Sequence, residues 1–329
     1  MTTKKCKSSG SCERPRKKSS PTPASSNLAT FKPSTTMKLI PAAKLVDLQV
    51  SKRFDHWGNR IQSNQTGMMF GPRGYGKTFC SLGLAIGISS GAKFLGLKPK
   101  KPRRVIYLDG EMDMVSMQDR IKKISASLGV DVPENLSIFT PEAFANLLPS
   151  ISEAAGLAQI DALISTNWDV LVIDNYSAWS GSGREDADVW APVMRWLLKH
   201  KRAGKTVLIV HHTNKSGGQR GSSRHEDALD FSISLQPFDV QNNDGALRFN
   251  LIWTKCRHLN RAQASPISVT MKSAADGAIT WHFQEGVARD PRIANARKLK
   301  KSGETNVAIA EALGVDRTTV GRWLKGTTP

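Results

Sequence analysis

The 329-residue chain is short of cysteine, of acidic residues and of long apolar runs, and each shortage excludes something. Its four cysteines, Cys6, Cys12, Cys80 and Cys256, are too few and too scattered for a disulfide framework. They form no C-x-x-C pair of the kind that binds zinc, and they imply a reducing compartment, the cytoplasm. The apolar runs, such as Val207–Val210, are far too short to span a bilayer, so no membrane partner is expected. The basic start, MTTKKCKSSGSCERPRKK, has no apolar stretch behind it, and a secretory signal is not expected. With 39% hydrophobic and 23% charged residues, the composition excludes a coiled coil and a wholly disordered chain. No internal repeat is visible.

The shortage of acid is the most directive of these. Forty-seven Lys and Arg face 28 Asp and Glu, a formal net charge of +19, which points to a polyanionic partner. The excess is terminal. Residues 1–38 hold nine bases and one acid, residues 287–329 hold nine bases and four acids, and the long middle retains only +6.

Three parts follow from this. Residues 1–38 are rich in Ser, Thr, Pro, Lys and Arg with almost nothing to bury, and read as a disordered basic arm, either a phosphate-touching tether or a solubilising tail. Over residues 39–286 short apolar runs alternate with amphipathic stretches. Strands are expected at Thr66–Phe70, Arg104–Asp109, Leu136–Phe139, Asp169–Asp174 and Thr206–His211. Helices are expected between them at Lys77–Ser89, Val115–Leu128, Ile151–Ser165 and Asp188–His200. Strands that are apolar throughout, separated by helices, indicate an α/β fold with a buried, mainly parallel sheet. Beyond residue 229 the runs Ser232–Leu235, Leu247–Trp253, Ile267–Met271 and Ile279–Phe283 lack intervening helices and predict an antiparallel extension. Residues 287–329 read as a small all-α module. Within it, Asn306–Lys325 predicts a helix, a turn at Gly314 and a second helix, with Ala308, Ile309, Ala312, Leu313, Val315, Val320, Trp323 and Leu324 as its core.

One segment carries specific chemistry. Gly71, Pro72, Arg73, Gly74, Tyr75, Gly76, Lys77 and Thr78 form a G-x-x-x-x-G-K-[ST] loop after an apolar strand and before a helix. Backbone N–H groups of such a loop turn inward around phosphate, the helix N-terminus adds its dipole, Lys77 reaches the terminal phosphates and the Thr78 hydroxyl ligates Mg²⁺. ATP with Mg²⁺ is the expected cofactor. Val170–Asp174 is an apolar strand ending in a carboxylate, which puts Asp174 near the metal. Val105–Asp109 runs into Gly110, Glu111 and Met112, and Glu111 is placed to polarise an attacking water.

With these motifs the sequence resembles the RecA-like P-loop ATPases, especially the ring helicases of the DnaB and plasmid RepA type. The resemblance spans residues 50–285. In that family a glutamate after the second strand, followed by Met, is the catalytic base, which implies that role for Glu111. The strand ending in His211, His212, Thr213 and Asn214 resembles the one that closes on a polar γ-phosphate sensor, with His212 best suited and His211 its rival. The basic, Gly- and Ser-rich segment after it resembles the channel loops that hold single-stranded DNA, implying Lys215 and Arg220. Asn250–Arg257 ends in Lys255 and Arg257, which resemble the pair reaching into a neighbouring subunit's site; Arg220 is the alternative finger. A finger in trans implies a head-to-tail homo-oligomeric ring, a hexamer in this family. The adenine contact is open between Trp57 and Phe79.

The C-terminal segment resembles the helix-turn-helix of resolvases and repressor-like proteins. That implies a second helix in the major groove of duplex DNA, with Arg317, Thr318, Thr319 and Arg322 facing bases or phosphates. The expected function is a Mg-ATP-dependent motor on DNA for replication initiation or unwinding in a phage or plasmid. The alternative is an ATP-regulated DNA-binding regulator or partition-type factor that does not unwind.

Overall fold

The computed structural model describes residues 36–165, 167–181, 187–212, 229–238, 244–260, 262–286 and 291–325. By contact density the chain divides into two units, Met1–Lys52 and Arg53–Pro329. The described part of the first carries one short helix, α1 (Ala42–Val46), that buries none of its residues.

The second unit is built on a nine-stranded sheet. The short hairpin of β1 (Asp55–Trp57) and β2 (Ile61–Gln62) leads into β3 (Thr66–Gly71). Next come α2 (Lys77–Ser90), β4 (Val105–Asp109), α3 (Met114–Ser127), β5 (Leu136–Phe139), α4 (Ala154–Leu163), β6 (Val170–Asp174), α5 (Tyr176–Ser180), α6 (Ala187–Arg202) and β7 (Thr206–His212). Four strands follow, β8 (Phe231–Pro237), β9 (Leu247–Cys256), β10 (Ile267–Ser273) and β11 (Ile279–Glu285). The sheet order is β11-β10-β9-β8-β3-β7-β6-β4-β5. From β8 to β5 all neighbours are parallel, and β8 through β11 pair antiparallel. This is the expected α/β architecture, a RecA-like P-loop fold with a mainly parallel sheet and an antiparallel extension.

Strand alternation divides the core in two. Val105, Tyr107, Val170, Val172, Leu208 and Val210 face one side with α2 and α3. Ile106, Leu108, Leu171, Ile173, Val207 and Ile209 face the other with α4, α5 and α6. Because both faces are covered, the strands need no polar face, which is why they read as continuous apolar runs. The sequence reading missed the β1–β2 hairpin and α5, which are too short to show a period.

Three further helices follow, α7 (Pro291–Lys301), α8 (Asn306–Leu313) and α9 (Arg317–Lys325). Thr305 caps α8 by accepting from the Ala308 N–H at 3.2 Å, and Gly314 ends it in the left-handed conformation. Their shared core is Ile293, Ala296, Ile309, Ala310, Val320 and Trp323, with Leu299, Leu313, Val315 and Leu324 at its margin. The expected core was offset on α8, where Ala308 is only half-buried and lies outside the shared core. Ala310 is buried and Ala312 is exposed, because α8 meets both other helices across the arc of residues 309, 310 and 313. No helix among the described residues is long and apolar enough to cross a membrane.

Candidate nucleotide site

The site forms where the parallel strands end. β3 lies between β7 and β8, with β6 and β4 beyond β7, so the C-terminal ends of β3, β7, β6 and β4 stand in one row. Phe70 pairs with His211, Asp174 with Val210, and Asp109 with Asp174. Three local sequence signals, far apart in the chain, therefore meet at one edge. A pocket of about 310 Å³ opens there, lined by Arg73, Gly74, Gly76, Lys77, Thr78, Phe79, Glu111, Arg120, Asp174, Asn175, His212 and Leu247.

The loop from Gly71 to Thr78 is the floor. Gly76 holds φ +80° as it opens α2, and a Cβ there would stand 3.2 Å from the Phe249 ring, so both backbone sign and space ask for glycine. Lys77 is buried and its ammonium donates to the Pro72 carbonyl at 2.6 Å. Burial lowers its pKa to about 8, against the pull of Asp174 and Glu111. A buried ammonium resting on a carbonyl is poised to exchange that contact for phosphate oxygens. Gly71 and Tyr75 belong to the loop without lining the pocket, and Pro72 contributes through its carbonyl.

Asp174 is buried at the end of β6, and desolvation raises its pKa. Its Oδ2 accepts from the Tyr107 hydroxyl at 2.6 Å, and the Thr78 side chain beside it partly offsets the rise. Cations that accompany nucleotides take most ligands from phosphate and water, so one hydroxyl and one carboxylate suffice from the protein. Thr78 and Asp174 are a hard oxygen pair of that kind. Among the described residues no group of three or more His, Cys, Asp or Glu forms a metal site that stands alone.

Glu111 is held by the loop after β4. Asp109, buried beside Asp174, accepts from the Met112 N–H at 2.9 Å, and the Gly110 N–H donates to the Asp174 carbonyl at 2.8 Å. A Cβ on Gly110 would stand 2.6 Å from Ala178, so only glycine lets this turn lie against α5. Burial pushes the Asp109 carboxyl up to about 6. Glu111 behaves oppositely. Its side chain is half exposed, His212 Nε2 stands 4.0 Å from Oε1, and His212 with Asn175 holds its carboxyl down to about 2. At neutral pH this is an ionised acceptor beside a loop built for phosphate. Asn175 anchors the group: it caps α5 by accepting from the Ala178 N–H at 3.1 Å, and its amide faces His212 Nε2 at 3.3 Å. Of the two histidines, His212 lines the pocket, while His211 is buried with its ring edge-on to Tyr176.

Other expected residues fall elsewhere. Trp57 lies in the core, 2% exposed, stacked 6.1 Å from Trp253 and donating from Nε1 to the Phe94 carbonyl. Of the two aromatics considered for the base, only Phe79 lines the pocket. Lys255 pairs with Ser232, and the Arg257 N–H donates to the Asp230 carbonyl, at the start of β8 and so at the opposite end of the sheet from the loop. Neither lines the pocket. Lys215 and Arg220 lie outside the described residues. At α9, Asp316 accepts from both threonine hydroxyls (Thr318, and Thr319 at 2.7 Å), and Arg322 donates to Thr319 at 2.9 Å, while Arg317 is exposed.

The sequence reading did not single out Arg120, Asn175, Leu247, Tyr107 or Ser81. Arg120 stands over the Phe79 ring at 4.5 Å and makes with it a planar cationic wall of the pocket. Asn175 carried a faint signal, as the polar residue directly after the strand-terminal Asp174. Tyr107 carried none, since a tyrosine in VIYLD reads as core.

A family model described as an AAA domain matches residues 35–218, more than half of the chain. No curated protein matches the chain.

Proposed function

The chain belongs to the AAA-domain family of P-loop ATPases, and on that premise we propose that it is a Mg²⁺-dependent ATP hydrolase acting on DNA as a ring-forming motor. The observation that carries the hydrolase is the convergence of Lys77, Glu111, Asp174 and His212 on one pocket. The nucleotide's phosphates lie on the loop amides, and Lys77 neutralises charge on them. The base rests against Phe79 and Arg120. Thr78 and Asp174 hold Mg²⁺, which when bound supplies charge neutralisation on the phosphoryl oxygens. Glu111 takes a proton from water as that water attacks the terminal phosphorus in line with the departing oxygen, and His212 with Asn175 fixes the carboxylate and senses the terminal phosphate.

The DNA-acting part rests on charge and placement. The ends of the chain carry most of the +19 excess, and α9 presents Arg317 and Arg322 in its exposed arc. Thr318 and Thr319, tied to Asp316, accept rather than donate towards a nucleic acid. Arg257, exposed at the far end of the sheet, is remote from its own pocket, and a head-to-tail ring gives it and Lys255 a neighbour's site to complete. Lys215 and Arg220 are the proposed single-strand contacts and α9 the duplex contact. A second reading, an ATP-regulated DNA-binding regulator without unwinding, draws on the separate core of α7, α8 and α9.

The test is the ATPase rate with no DNA, with single strands and with duplex, read beside native mass and strand displacement. A motor gives a higher-order oligomer, stimulation by single strands and displaced strand. Sequence-specific duplex binding with slow turnover and no displacement supports the regulator. A monomer indifferent to DNA ends both.

A further inference from the structure

We propose that Tyr107 is a positioning residue for the nucleotide's divalent cation, acting through Asp174; the inference rests on the nucleotide-site reading above. Tyr107 has no solvent exposure and sits in the middle of β4, opposite Val172 of β6. Side chains two apart on a strand share a face, so Tyr107 lies on the face of Asp109, whose cross-strand partner is Asp174. That register brings the phenol diagonally to Asp174 Oδ2 at 2.6 Å.

The hydroxyl is one of two that reach the same carboxylate. Ser81 Oγ is 2.8 Å from the Tyr107 oxygen and 3.5 Å from Asp174 Oδ2, one helical turn beyond Thr78. Phenylalanine would fill the same core volume without burying a hydroxyl, which is costly unless hydrogen-bonded. What the hydroxyl adds is a directed donor. It occupies Oδ2 and fixes the carboxylate plane, so that the remaining lone pairs face Thr78 and the loop. A carboxylate already oriented pays less to meet a cation.

The test is Tyr107→Phe in the full chain. Affinity for a fluorescent ATP analogue is measured in EDTA and across a Mg²⁺ titration, and Mn²⁺ occupancy is read by electron paramagnetic resonance with nucleotide present. Loss of one charge-assisted hydrogen bond should raise the half-saturating Mg²⁺ and Mn²⁺ concentrations roughly five- to tenfold, with affinity in EDTA unchanged. Ser81→Ala should shift both the same way by less. Unchanged or tighter cation dependence in Tyr107→Phe overturns the proposal, as does an equal loss with and without Mg²⁺, the mark of a structural role. A parent chain that binds the analogue without any response to Mg²⁺ overturns the nucleotide-site reading together with this inference. A responsive parent with an indistinguishable variant overturns this inference alone.

Discussion

The two ends of β3 handle charge in opposite ways. At its start, Asp230 is buried and satisfied: Oδ2 accepts from the Thr66 N–H at 2.9 Å and Oδ1 meets the Lys201 ammonium at 2.6 Å. Nearby, Arg60 donates to the Ser265 carbonyl at 2.6 Å, pairs with Glu285 at 3.0 Å and lies over Trp253. His56, buried in the hairpin before β3, is kept neutral by desolvation. At the other end three carboxylates, Asp109, Asp174 and Glu111, crowd one edge, and the single buried ammonium among them rests on a backbone carbonyl. One end is closed by its own partners. The other gathers carboxylates and the cations Arg73, Lys77 and Arg120 around open space, an arrangement that a ligand completes. Where charge is balanced internally it serves the fold, and where it is left unbalanced around a pocket it serves a ligand.

Substitutions at the two ends should therefore part cleanly. The largest effect belongs to Glu111→Gln, which removes the proton acceptor and leaves the loop intact. Turnover should fall by roughly 10²- to 10⁴-fold while ATP affinity holds, measured by steady-state hydrolysis and equilibrium binding. Turnover close to the parent's would remove Glu111 from its role. Asp230→Ala should do the reverse. Leaving Lys201 and the Thr66 amide without their carboxylate should cost about 2–4 kcal/mol in chemical denaturation, with binding per folded molecule unchanged. A catalytic loss larger than the stability loss would erase the distinction between the two ends.

The smallest effect is a pH dependence. The pKa of His56 falls from 6.5 to about 4 on folding, through burial first and Arg103 second. The unfolded chain then binds more protons than the folded one between those values, so stability is full above pH 6.5 and declines as pH falls towards 4. By pH 5 the loss from this residue should be about 2 kcal/mol. His56→Leu should flatten that part of the profile, measured as denaturation midpoints from pH 7 to pH 5 without nucleotide. An identical slope in the variant would assign the acid sensitivity elsewhere, including to the nucleotide end.

Much of this is legible in the sequence. The five strands expected ahead of residue 229 fall within a residue of their expected places, because a parallel strand covered on both faces must be apolar along its length. The phosphate loop was legible for a related reason: its glycines, lysine and threonine act as one continuous peptide, so their spacing is the geometry. Asp174 and Glu111 stood out because one ends an apolar run and the other comes two residues after a strand that ends the same way. What stayed hidden were residues whose role depends on a neighbour distant in sequence. Trp57 and Phe79 were equal candidates until packing put one in the core and the other in the pocket. Arg120 is an unremarkable surface arginine until α3 is laid beside α2.

By itself, then, the sequence determined the phosphate loop, the strand-terminal carboxylates and the terminal placement of charge, since all three are properties of contiguous segments. Only the tertiary structure decided that Tyr107 and Ser81 hold Asp174, that His212 stands between Asn175 and Glu111, and that Arg257 stands at the opposite end of the sheet from the loop. Those depend on strand order and register. In a sheet, a shift of one residue turns a side chain to the other face, and no contiguous pattern records which strand lies next to which.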